Sequence, residues 1–95
     1  SLDNNLFAEA EENFVWLKKY YEESGETASI DYQEVVFNLA EAKSKQDQYA
    51  AAETLLSESQ KYFEGNNQTG EALYVKVINA RALCLQKLGR SGEAS

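Results

Sequence analysis

The sequence predicts an all-α fold of antiparallel helix hairpins, about four helices in all, and three observations carry that expectation. Apolar residues recur at i, i+3, i+4 and i+7 through most of the chain, the period of one helix face. There is no proline, and the five glycines (Gly25, Gly65, Gly70, Gly89 and Gly92) fall between the periodic stretches, where loop residues belong. The third observation is an internal repeat. Tyr49, Ala52, Leu56, Ser59 and Phe63 form one stripe, and Phe7, Ala10, Phe14, Leu17 and Tyr21 form the same stripe 42 residues earlier. Repetition at a fixed period is the mark of a helical repeat array. An ordinary four-helix bundle would show similar stripes helix by helix, but nothing in it would keep a register across the loops.

The first helix is expected over residues 3–24, capped by the Asp3 side chain. Besides its stripe it carries Val15 and Trp16 on an adjacent face, so neighbours on two sides are expected. Lys18 and Lys19, toward its C-terminal end, suit the helix dipole. After the polar link SGETAS, Thr27 or Ser29 caps a second helix with the apolar set Tyr32, Val35, Val36, Leu39 and Ala40. That helix fades around Lys43 to Gln46. Val35-Val36-Phe37 has strand propensity, but the flanking EAKSKQ run and the period favour helix.

Asp47 is expected to cap the third helix, YAAAETLLSESQKYF, which ends in the loop EGNNQTG. Thr69 then caps a fourth helix with the apolar set Leu73, Tyr74, Val77, Ile78, Ala82, Leu85 and Leu88. Gly89 is expected to close it as a left-handed C-terminal residue. RSGEAS would be a turn and the first half-turn of a fifth helix. The organisation is therefore one helix (3–24), one full repeat (29–64) and one partial repeat (69–95) in a single unit. Because the chain opens on Ser, it reads as part of something longer.

Composition excludes several classes of function. The net charge is −7, placed unevenly: eight acids face two lysines up to Asp31, against eight acids and seven bases afterwards. Phosphate-backbone binding needs a clustered basic face, so nucleic acid is not an expected partner. Most of the acids read as a solvated face. No run approaches the roughly eighteen apolar residues of a membrane span, and no signal peptide opens the chain. Cys84 is the sole cysteine, so no disulfide can form within one chain, and a reducing, cytoplasmic setting is expected. With no histidine to activate it, Cys84 reads as a buried small hydrophobe. No histidine, no Gly-rich phosphate loop and no Cys/His cluster means that no enzyme activity, cofactor or metal is expected.

At Asn38-Leu39-Ala40, Gln48-Tyr49-Ala50-Ala51-Ala52-Glu53 and Leu55-Leu56 the chain resembles a tetratricopeptide repeat. Ala40 fills the small-residue position midway along that family's helix A. Tyr49, Ala52 and Leu56 fill the aromatic, alanine and large apolar positions of helix B. A second copy reads Ala82, Gly89, Arg90 and Ala94, and a half copy reads Phe7, Ala10 and Phe14. The small residues let helices A and B approach closely. The period of 42 exceeds the usual 34 and is similar to the longer repeats of kinesin light chains and of bacterial peptide-sensing regulators. Lys43 stands at a position usually aromatic, Arg81 at one usually leucine, and the proline that often ends helix B is absent.

The resemblance implies a superhelix of helix pairs whose A helices, here the second and fourth, line a concave groove for a peptide or partner helix. The groove face of the second helix would present Glu34, Phe37, Asn38, Glu41, Ser44 and Lys45. That of the fourth would present Lys76, Asn79, Leu83, Gln86 and Lys87. Phe37 and Leu83 are then the apolar anchors among mixed charges. The asparagine–lysine set with which some relatives clamp a C-terminal carboxylate is only partly reproduced by Asn38, Asn79 and Lys76. The implied function is a protein–protein interaction module, and the alternative is a structural spacer segment of a larger protein. Self-association is expected through terminal helices, with Leu73, Val77 and Leu88 left uncovered on the fourth.

Overall fold

A computed structural model describes the backbone of residues 2–94 and the side chains of residues 6–89. It contains four helices: α1 (Leu2–Ser24), α2 (Ile30–Lys45), α3 (Tyr49–Gly65) and α4 (Ala72–Ala94). Among the described residues there is no strand. Each helix packs on its neighbour in the chain, α2 also touches α4, and α1 meets neither α3 nor α4. A closed bundle would bring the first helix against the last. Here the helices follow one another in an open row.

The ends of the helices explain the hairpins. α1, α2 and α3 all finish with a left-handed residue: Gly25 (φ 76°), Asp47 (φ 63°) and Asn67 (φ 56°). Glycine reaches this region without penalty, and Asp and Asn are the side chains that best tolerate it. In each case the following amide reaches back to the helix. Glu26 N–H donates to the Tyr21 carbonyl at 2.9 Å, Gln48 to Lys43 at 2.9 Å and Gln68 to Phe63 at 2.8 Å. The amides of Gly25, Asp47 and Asn67 close the inner bond, to Glu22, Ser44 and Glu64. These are Schellman closures, which satisfy the last free carbonyls and reverse the chain.

Several expectations about caps change accordingly. Asp47 does not cap α3; its backbone is committed to ending α2, and its carboxylate accepts a 3.0 Å hydrogen bond from the Tyr49 hydroxyl instead. Of the two candidates before α2, Ser29 is the cap, accepting the Tyr32 amide at 3.2 Å. Thr69 lies in a turn between Gln68 and Glu71, so α4 starts at Ala72 and the Glu71 carbonyl receives the Tyr74 amide. Gly89 is helical, and α4 continues to Ala94 where a turn and a fifth helix were expected. Glycine costs a helix only about 1 kcal/mol against alanine, so it permits a turn without enforcing one. α1 is helical from Leu2, and the capping side chain of Asp3 falls outside the described residues, as does the side chain of Ala94.

The core lies where α3 is covered on both sides. Ala52, Leu56, Ser59 and Phe63 are buried, joined by Val36, Leu39 and Ala40 from α2 and by Val77 and Cys84 from α4. Gln33 and Ala42, absent from the expected apolar set, are buried as well. On α4 the expected set is half right. Leu73 and Tyr74 pack on the core, Val77 is fully buried and Leu88 is half-buried. The three residues expected to lie uncovered, Leu73, Val77 and Leu88, are therefore not the open ones. Ile78, Ala82 and Leu85 face out instead, because α3 takes the Val77 side of the helix. α1 is covered on one side, leaving Val15 and Trp16 exposed without the second neighbour expected for them.

The 42-residue period is visible in polar contacts too. Lys18 donates to Glu22, which also accepts the Tyr32 hydroxyl at 2.9 Å. At the equivalent positions Gln60 donates to Glu64, which accepts the Tyr74 hydroxyl at 2.7 Å. Lys43 and Gln46 reach Glu11, while Arg81 reaches its equivalent, Glu53, and also Gln60. Arg81, where leucine is usual, therefore serves as a tie between α3 and α4. The hydrogen bond from Lys18, then that from Tyr32, holds the Glu22 carboxyl below its ordinary value of 4.5. Gln60 and then Tyr74 do the same for Glu64.

Two predictions follow from this packing. Ala52→Leu overfills a site with no free surface and should cost about 1–3 kcal/mol, read as a lower melting temperature. The second concerns acid. A carboxyl whose pKa is depressed by folding stabilises the fold fully above its unfolded value, and that contribution disappears as pH falls through the folded value. Melting temperature should therefore drop with pH below about 4.5. In the double variant Glu22→Gln, Glu64→Gln that slope should flatten in thermal melts across the acid range.

Candidate peptide-binding groove

Because α3 holds α2 and α4 apart, the two helices leave a channel between them. It is an open groove of about 480 Å³. Phe37, Glu41 and Ser44 form the α2 wall, and Lys76, Asn79 and Leu83 form the α4 wall. Ala40, Ala80, Cys84 and Leu56 of α3 make the floor. Together with Ala40 or Ala80, each wall is a stripe at i, i+3, i+4 and i+7, one face of its helix. Phe37 and Asn79 are equivalent positions of the repeat, as are Glu41 and Leu83, so the two walls share part of one helix face. Small side chains at Ala40 and Ala80 give the groove its depth.

The groove is apolar at its base and mixed at its rim. Leu83 is 48 % exposed, and Phe37 is half-buried with one side on the core. Glu41 and Lys76 stand on opposite walls, and among the described residues neither has an ion-pair partner. An occupant would therefore meet an apolar seat flanked by one acid and one base. Cys84 lies at the floor with 1 % exposure. Burial pushes its thiol up, and the Glu53 and Glu41 charges push the same way, while a hydrogen bond with Ser44 opposes them. The thiol is held neutral and is a poor nucleophile.

Six of the eleven residues expected on the groove faces line it: Phe37, Glu41, Ser44, Lys76, Asn79 and Leu83; Gln86 does not. Asn38 and Lys45 belong instead to a smaller cleft of about 200 Å³ between α1 and α2, with Phe7, Ala10, Phe14 and Ala42. Helix geometry is the reason. Asn38, Ala42 and Lys45 form a stripe on the side of α2 that meets α1, away from α4. Glu34 is exposed and Lys87 half-buried, and neither lines a cleft. The floor residues Ala40, Ala80 and Cys84 read in the sequence as core or went unremarked. The signal for them is small size one turn from a wall residue. Among the described residues no group of three or more His, Cys, Asp and Glu could hold a metal.

A thiol-labelling experiment checks the floor. Cys84 should react with a bulky thiol reagent at least tenfold more slowly in the native chain than after denaturation, and Ala80→Trp, which fills the groove, should slow it further. Compared with known proteins, this chain matches no protein-family model, no curated protein and no solved structure.

Proposed function

We propose that this chain is a non-catalytic protein–protein interaction module of tetratricopeptide type, which binds a peptide or partner helix between α2 and α4. The observation that carries the reading is the open groove itself, whose two walls share the repeat-equivalent pairs Phe37/Asn79 and Glu41/Leu83, with an exposed leucine on one of them. The expected occupant places one apolar side chain between Phe37 and Leu83, with a basic group toward Glu41 and an acidic group toward Lys76. Phe37 and Leu83 supply affinity by excluding water, and the two charges set direction. The neutral, buried thiol fits a reducing compartment such as the cytoplasm. Among the described residues no helix is long and apolar enough to cross a membrane.

Peptide selection against the immobilised 95-residue chain tests this reading. Selected peptides should share an apolar residue flanked by opposite charges. Leu83→Asp, at a half-exposed position that leaves folding intact, should weaken them at least tenfold, which corresponds to about 1.4 kcal/mol. Charge reversal at Lys76 should change which flanking residues are selected. If no peptide is enriched, or if enriched peptides bind the Leu83→Asp variant as well as the parent, the alternative of a structural spacer stands.

A further inference from the structure

A second surface, distinct from the groove, lies along α4. Val75, Ile78 and Leu85 are 53 %, 36 % and 46 % exposed, and with Ala82, also exposed, they form a stripe at i, i+3, i+7 and i+10. Forty-two residues earlier the same positions are Gln33, Val36, Ala40 and Lys43. Gln33, Val36 and Ala40 are 4 %, 2 % and 1 % exposed, and Ala40 shares the core cluster with Ala52 and Leu56 of α3. At Ala40 the chain thus shows what covers this stripe, a helix with the pattern of α3, while Lys43 at the end of the stripe turns to Glu11 of α1.

The only other helix with that pattern among the described residues is α1, whose Phe7, Ala10, Phe14, Leu17 and Tyr21 match Tyr49, Ala52, Leu56, Ser59 and Phe63. On α3, Glu53 and Gln60 mark the side turned to α4, through Arg81. Leu55 and Tyr62 lie on the opposite flank, the side turned to α2. The corresponding flank of α1 carries Leu6, Asn13 and Tyr20, and Trp16, at the position of the exposed Glu58, stacks on Tyr20 at 5.9 Å. Leu6, Tyr20 and Trp16 are 56 %, 54 % and 66 % exposed. So α4 lacks a cover of one kind, and α1 lacks a seat of the same kind. The charges agree: α1 contains six acids and two lysines, and α4 four bases and one acid.

We infer that α4 seats the first helix of a second copy of this chain, in the manner in which α2 seats α3. Ala10 of one copy then meets Ala82 of the next, as Ala52 meets the Ala40 region within the chain, and Leu6 and Tyr20 cover Ile78 and Leu85. The contact is head-to-tail, joining two different surfaces, so it propagates unless a rotation closes it. Exposed apolar stripes of this kind are association sites. The inference does not rest on the groove reading.

Light scattering of the 95-residue chain over a concentration series to about 1 mM is expected to show the mean mass rising. Leu85→Asp should shift the midpoint at least tenfold to higher concentration, while Leu83→Asp, on the groove wall, should leave it in place. Disulfide trapping decides the register even if a variant folds poorly. In a Cys84→Ala background, an equimolar mixture of Ala10→Cys and Ala82→Cys chains should oxidise to a species of twice the 10.7 kDa chain mass in far higher yield than either chain alone. A strict monomer throughout would overturn the inference and leave the stripe to another helix. So would association that responds to Leu83→Asp and ignores Leu85→Asp.

Discussion

Ala52 sits in the first turn of α3 with no exposed surface, and the spacing of the molecule follows from that contact. A methyl group there lets α3 lie close to its neighbours, so that Leu56, Ser59 and Phe63 on the same stripe are buried between α2 and α4. Once α3 occupies that position, α2 and α4 cannot meet along their length, and the channel between them is a consequence. Burying the large side chains of this stripe is worth roughly 1.5–3 kcal/mol each. That exceeds the roughly 1 kcal/mol expected of any one of the interhelical hydrogen bonds, so packing sets the arrangement and polar contacts refine it.

The polar contacts nevertheless explain why the arrangement repeats. A tyrosine at the start of α2 and of α4 reaches a glutamate near the end of the preceding helix, Tyr32 to Glu22 and Tyr74 to Glu64. The backbone does the same at Gly25 and Asn67, two different residues in one left-handed conformation closed by the same pair of hydrogen bonds. A helix end that reverses the chain and a tyrosine that anchors the next helix together fix the angle between successive helices. The hairpin can then be copied without copying every core residue. Ser59 against Leu17 and Arg81 against Leu39 show how much the side chains vary within that frame.

The groove and the stripe on α4 arise from one asymmetry. α2 and α3 each lie between two helices, whereas among the described residues α1 packs on α2 alone and α4 packs on α3 with only a slight touch from α2. The central stripe of α3 is therefore closed, and the equivalent stripes of the outer helices are partly open. The groove is the opening that α3 creates by lying between α2 and α4. The stripe on α4 belongs to the row as it stands in this chain, and it has a built-in template in α2.

The sequence alone determined the helical class, the number of helices and the 42-residue register, because periodicity and glycine placement act locally and survive any tertiary arrangement. It also determined that Ala52, Leu56 and Phe63 lie inside, since they share one stripe in a helix apolar enough to need cover on two sides. Half of the groove was legible for the same reason: Phe37, Glu41, Lys76, Asn79 and Leu83 follow from the face opposite the core. Tertiary structure alone decided the rest. Whether Asn38 and Lys45 face α4 or α1 depends on how far α2 is rotated about its axis, which no local pattern states. Whether Gly89 turns or continues is not stated by its identity, because glycine accepts both conformations, and here it continues the helix with nothing among the described residues packed against it. Which apolar stripe of α4 is buried, that of Val77 and Cys84 or that of Ile78 and Leu85, depends on which neighbours are present, and hydrophobicity marks both alike.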